Sequence, residues 1–192
     1  AARYSSHNTI IAVVGDVKEK EIVGLLNEYF KSWQRKEQPL PAPVQPPAIG
    51  KTVVQKINKD ITQANVVMGH IGINRENPDY YAVLIMNYIL GGGGFSARLM
   101  DNIRDNKGLA YDVHSVFAAQ KEPGSFSVTI QTKNESANEV ISETLKEIRR
   151  MQNEKVSEKE LADAKAYLTG SFPLKMDTSA KIAGMLTSIE IY

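Results

Sequence analysis

Cysteine is absent from all 192 positions, which excludes disulfides, thiolate metal sites, Fe–S clusters and a cysteine nucleophile, and leaves the redox compartment open. Histidine is scarce. Only His7, His70 and His114 occur, and no two lie three to five positions apart, so no helix can present paired imidazoles to one metal. A self-contained zinc hydrolase is thereby disfavoured. No Gly-x-Ser-x-Gly elbow supports a serine nucleophile. An excess of one charge is also lacking: 23 Lys and Arg against 22 Asp and Glu leave a net charge of +1, which supplies no electrostatic reason for a nucleic acid or an anionic membrane as partner. No apolar run approaches the ~20 residues of a membrane span. Ala1-Ala2-Arg3-Tyr4-Ser5-Ser6 lacks the apolar core of a secretory signal, so the chain is expected either in a cytosol or with its address already removed.

What is present describes one globular domain. With 42% hydrophobic and 23% charged residues the chain is neither disordered nor coiled-coil, and a single domain over 1–192 can bury roughly 70% of its unfolded surface. The β-branched run Thr9 to Val14, stopped by Gly15-Asp16, reads as a strand buried on both faces. Asp16 is expected to cap a helix over 18–33 whose apolar positions Ile22, Val23, Leu25, Leu26, Tyr29, Phe30 and Trp33 make one buried stripe, with Trp33 in the core. Five of the eight prolines crowd between Pro39 and Pro47, so 38–48 reads as an extended spacer. Thr52 to Ile57 and Ala64 to Ile73 read as two strands. Asn77-Pro78-Asp79 then opens a helix through Leu90, covered on most sides, and Gly91 to Gly94 ends it.

The four glycines lack the preceding strand and the Gly-Lys-Ser/Thr ending of a phosphate cradle. They read as a flexible connector to a short helix opened by Ser96, with Leu99, Met100 and Ile103 on one face and Lys107-Gly108 as its close. Leu109 to Ala118 and Ser125 to Gln131 form an antiparallel pair turned through Lys121-Glu122-Pro123-Gly124. Two capping boxes follow, Ser136-x-x-Glu139 and Ser157-x-x-Glu160. The first opens a helix presenting Val140, Ile141, Leu145, Ile148 and Met151; the second opens one presenting Leu161, Ala164 and Leu168, ended by Gly170 and Pro173. Asp177 is expected to cap a last helix carrying Ile182, Met185, Leu186 and Ile189. The order predicts an α+β fold, a mostly antiparallel sheet with helices on one face, of split-βαβ, ferredoxin-like type. His70 and His114 fall in strands and read as hydrogen-bonded strand histidines.

The informative stretch is Gly94-Phe95-Ser96-Ala97-Arg98-Leu99-Met100-Asp101-Asn102-Ile103-Arg104-Asp105-Asn106-Lys107-Gly108-Leu109-Ala110-Tyr111. It resembles the C-terminal, zinc-free half of the M16 metallopeptidases (pitrilysin, insulinase, mitochondrial processing peptidase), where Ser-x-Arg-Leu leads to Gly-Leu-Ala-Tyr. Asn8 to Val17 is similar to that half's Asn-x-x-Leu-Val-Val-Val-Gly-Asp-Val opening. The resemblance runs across essentially the whole chain. It implies a LuxS–MPP-like metallohydrolase half-domain that holds an extended peptide across a closed chamber from a His-x-x-Glu-His zinc half, in the same polypeptide or a separate subunit. It also implies that Arg104 and Tyr111 are the substrate-binding pair. No zinc is expected on this chain, no peptidase activity is expected of it alone, and a bacterial cytoplasm or periplasm is the expected compartment.

On the residues alone, a last-turn arginine is a solvated cation complementing the helix dipole and a strand tyrosine is half-buried packing. With the motif around them, they become forked and phenolic donors to a substrate carbonyl. Arg98 either supports the site or braces the glycine loop through carbonyl hydrogen bonds. Phe95 either lines the chamber or plugs the core beneath the loop, and the core is the expectation; Gly93 and Gly94 would support it. Three functions stay open: the substrate-binding half of a zinc peptidase, a structural homologue without proteolysis, and an unrelated ferredoxin-like binding module. A chain opening almost on a strand and closing within a helical pattern is expected to be a fragment of a longer peptidase, and a homodimer would cover exposed surface.

Overall fold

The computed structural model describes residues 5–33, 46 and 48–192. Two compact units divide the chain, Ala1–Val44 with Gly170–Tyr192, and Gln45–Thr169.

The 45–169 unit holds the sheet. Strands β1 (Gln63–Ile71), β2 (Ala110–Ala118) and β3 (Ser125–Lys133) lie in the order β1-β3-β2, antiparallel throughout. Because β1 and β2 are joined through helices and flank β3, this is the split βαβ arrangement that the element order predicts. Alternation puts Phe126, Val128, Ile130 and Thr132 of β3 on one buried face, with Val66 and Val113 opposite Ile130 from its two sides. That face is covered by α2 (Tyr80–Asn87), a π-helical turn (Tyr88–Gly92), a π-helix (Met100–Asn106) and α3 (Ala137–Asn153). Leu90, Leu99, Met100, Ile103 and Val140 come from these helices and close the core against β2 and β3. Each such side chain taken fully from water stabilises by about 1.5–3 kcal/mol.

The β2–β3 hairpin and the apolar face Leu99, Met100, Ile103 are as the spacing predicts. Other expectations change. Residues 52–57 join no strand among those described, and Val53, Val54 and Ile57 are strongly exposed. β-branched composition favours extended backbone, but a strand exists only where a neighbour completes its ladder, and local sequence does not name that neighbour. Helix α2 starts one turn later than Asn77, whose Oδ1 accepts the Asp79 N–H at 2.9 Å in an Asx turn. It is covered less completely than expected, since Tyr81 is exposed. Ser136 does not cap α3, because it already has helical backbone (φ −90°, ψ −1°) in the short 3-10 turn Asn134–Ser136. The buried stripe of α3 is Val140, Glu143, Thr144 and Glu147, while Leu145 is exposed; polar groups on the π-helix attract the glutamates to the inner face. The second capping box forms: the Glu160 N–H donates to Ser157 Oγ at 3.2 Å and the Ser157 N–H to Glu160 Oε2 at 2.8 Å, opening α4 (Glu158–Gly170).

In the other unit, residues 9–14 also join no strand among those described, and Ile10, Ile11 and Val13 are exposed, for the same reason. Helix α1 (Glu19–Tyr29) begins after Lys18, whose carbonyl takes the Glu21 and Ile22 N–H groups, so Asp16 lies too early to cap it. Trp33 is half-buried beside Phe30, with ring centroids 5.4 Å apart, and α1 buries no residue completely, so this stripe is only partly covered among the described residues. Helix α5 (Ser179–Ile191) is capped by Thr178, which accepts the Lys181 N–H, while Asp177 pairs with the Lys181 ammonium at 2.8 Å. Apart from 46 and 48, the spacer 38–48 lies outside the described residues.

Candidate functional site

The site grows from two glycine-bounded turns. Gly91 is buried against Ser115, and a Cβ on Gly93 would meet the Tyr88 carbonyl oxygen at 2.7 Å, so neither position is an idle connector. Gly94 has φ +62°, the left-handed region that side chains avoid. This reversal starts the tight turn Gly94–Ser96, closed by the Ser96 hydroxyl donating to the Gly93 carbonyl at 3.0 Å, and it throws Phe95 outward. The chain becomes helical at Arg98 and widens into the π-helix over Met100–Asn106. Gly108, at φ +62°, ends it by donating to the Arg104 carbonyl. Strand β2 then opens with a bulge: Ala110 faces Thr132 and Asp112 faces Gln131, leaving Tyr111 as the extra residue. π-helical turns and β-bulges both re-aim side chains and concentrate at functional sites.

These irregularities bring three predicted residues together. The Arg104 guanidinium carbon lies 4.8 Å from the Phe95 ring centroid and 5.4 Å from that of Tyr111. Phe95 is 71% and Tyr111 78% exposed, so Phe95 belongs to the surface and not to the core. The reason is mechanical: Gly94 turns the chain before Phe95 can reach inward. Arg104 makes no ion pair among the described residues. Ring contacts of this kind hold a cation by about 0.5–1 kcal/mol at exposed sites. The guanidinium N–H donors stay available to a planar acceptor.

Arg98 turns away from the exposed cluster and from the glycine loop. It is 8% exposed and grips Glu160 with both ends of its fork, Nε to Oε1 at 2.6 Å and Nη2 to Oε2 at 2.9 Å. It neither reaches the exposed cluster nor bonds loop carbonyls, because a buried cation is held best by a carboxylate that accepts two parallel bonds. The hydrogen bonds from Arg98 hold the Glu160 carboxyl at about 2, far below its ordinary value. Sequence reasoning missed Glu160 in this role; its only signal there is the capping-box spacing. A second polar network was also missed: Asn102 donates to Glu147 Oε1 at 3.0 Å, and Glu143 pairs with Lys107 at 3.2 Å.

The histidines do not assemble. His70 lies opposite Phe126 on the helix-covered face, its Nδ1 2.7 Å from the Ile71 carbonyl oxygen. His114 lies on the other face, its Nδ1 2.9 Å from Asp112 Oδ2. Both are hydrogen-bonded strand histidines, as their contexts predict. Among the described residues no three His, Asp or Glu side chains converge as metal ligands, so a zinc ion does not fit the donor set shown here.

A family model described as the peptidase M16 inactive domain matches residues 1–168. The chain belongs to this M16 inactive-domain family. As an M16 inactive domain it is 30% identical over 179 residues to an uncharacterized zinc protease of Rickettsia felis, a match covering 92% of the chain and 42% of that relative. It superposes with a TM-score of 0.74 and 30% identity on a peptidase M16 inactive domain from Pseudomonas fluorescens, covering 93% of this chain and 42% of the other. A protease from Helicobacter pylori shares the fold, with a TM-score of 0.77 at 21% identity, over 93% of this chain and 44% of that one. The M16 domain thus spans about 42% of the length of the curated relative it matches. No helix among the described residues is long and apolar enough to cross a membrane.

Proposed function

We propose that this domain is the non-catalytic, substrate-holding half of an M16-type zinc endopeptidase. One observation carries the reading: Arg104, unpaired with any acid among the described residues, lies against the rings of exposed Phe95 and Tyr111. An extended peptide presents carbonyl oxygens at regular spacing, and a guanidinium edge beside a phenol offers them several N–H and O–H donors. When water attacks such a carbonyl, negative charge grows on that oxygen, and donors already in place stabilise it without reorganising. The metal belongs to the other half, in the same polypeptide or in a separate subunit. This domain contributes the grip on the peptide.

The test is cleavage of an unstructured peptide by the zinc-bearing half joined to this domain. Arg104→Ala and Tyr111→Phe should each lower kcat/KM by roughly 10²–10³, the loss that follows removal of one oxyanion donor, with circular dichroism unchanged because both residues are outside the core. Cleavage that is indifferent to both substitutions in a folded protein would overturn the reading and favour a structural homologue without proteolysis.

A further inference from the structure

The helical segment that carries Arg104 starts at Arg98, and Arg98 is the group that ties it to a distant part of the chain. Its partner Glu160 lies 62 residues on, at the first turn of α4. The carboxylate is fully engaged: Oε2 accepts from Arg98 Nη2, from the Ser157 N–H and from the Ser157 hydroxyl, the last two both at 2.8 Å, while Oε1 accepts from Arg98 Nε. Glu160 therefore caps α4 and clamps Arg98 with one side chain. Arg98 Nη1 is buried with no acceptor. If the fork swung away from Glu160, three donors in place of one would be left buried and unmatched, which makes the tie stiff.

Stability is not the whole account of such a pair. An ion pair with a buried partner is often no better for stability than apolar residues of the same volume, and Leu99 and Ile103 of this segment are already fully buried. Those apolar contacts set how deep the segment lies. A planar two-bond fork adds orientation, which non-directional packing does not supply. Phe95 lies three residues before Arg98, and Arg104 six residues after it, so a rotation of the segment would move both Phe95 and Arg104 relative to Tyr111 on β2.

We infer that Arg98 and Glu160 are positioning residues, whose fork sets the orientation of the segment bearing Phe95 and Arg104 and so keeps Arg104 aimed at the peptide. The inference rests on the substrate-holding reading above. Its test uses peptide cleavage by this domain joined to its zinc-bearing half, with Arg98→Met, which matches length and removes the fork, and with Glu160→Gln as a second variant that retains hydrogen bonding at the helix start should Arg98→Met fail to fold. Each should lower kcat/KM per folded molecule by roughly 10- to 100-fold, as small misplacements of positioned groups do, in addition to the fall in the unfolding midpoint at pH 7 that follows loss of the pair. In the Arg98→Met background Arg104→Ala should cost distinctly less than it does in the wild type, because the two act through one geometry. Losses that multiply, or that only track the folded fraction, overturn the clamp and leave the substrate-holding reading standing. Indifference to both Arg104→Ala and Tyr111→Phe in the wild-type background overturns that reading, and the clamp's role with it; indifference to Arg104→Ala alone overturns the clamp.

Discussion

Alanine at Gly91 probes whether the glycine run is a flexible connector or a packed element. A Cβ built there would lie 2.5 Å from Ser115 Oγ, 2.7 Å from the Ser115 backbone nitrogen and 2.8 Å from Leu99 Cδ1. None of these neighbours yields cheaply. Ser115 is held in β2 opposite Val128, its hydroxyl donates to Asn87 Oδ1 at 2.8 Å, and Leu99 is fully buried. Overpacking of this kind costs about 1–3 kcal/mol, and losing the Ser115–Asn87 hydrogen bond adds about 0.5–1.5 kcal/mol. Reduced freedom of the unfolded chain offsets about 0.4–1 kcal/mol. The expected net loss is about 2 kcal/mol, a fall in Tm of about 4–8 °C for a chain of this size. Gly94→Ala is the control, since open space surrounds that position and only its φ of +62° opposes a side chain; that strain is about 1–2 kcal/mol before the same offset. Urea unfolding of both variants, compared at equal m-values, decides the matter. If Gly91→Ala unfolds at the wild-type midpoint, the turn moves freely and the steric reasoning is wrong.

Core and surface positions of the sheet should separate cleanly: Ile130→Ala, fully buried between Val66 and Val113, is expected to cost about 2–5 kcal/mol, and Val67→Ala on the open face within ±0.5 kcal/mol, both read by urea unfolding. The Glu160 carboxyl is held at about 2 from an ordinary 4.5, chiefly by Arg98. Its depressed value means a stabilisation present above pH 4.5 and lost as pH falls toward 2. Unfolding midpoints should therefore drop through that window in the wild type, and less steeply in Glu160→Gln; parallel slopes would refute the assignment.

Much of the fold was legible because its signals are local. The β2–β3 hairpin, the apolar face Leu99, Met100 and Ile103, the Gly108 stop and the Ser157-x-x-Glu160 box each depend on residues within a turn or two of one another. Where expectation failed, the deciding partner lay elsewhere. Residues 9–14 and 52–57 have the composition of strands but no ladder among the described residues. Leu145 was expected inside α3 and Glu147 was not, because the Asn102 amide that draws Glu147 inward sits 45 positions away. Phe95 carries an apolar side chain and so reads as core, until the positive φ of Gly94 turns it out.

Residue identity and spacing by themselves determined that Arg104 and Tyr111 stand at either side of a helix-to-strand turn, and that this chain offers no paired histidines to a metal. Those facts need only the covalent order of the chain. Tertiary structure alone decided that Phe95 joins Tyr111 beside the guanidinium and that Arg98 turns inward to Glu160. Ring faces and two-bond forks act over a few ångströms in space, and distance along the chain says nothing about which groups will meet there.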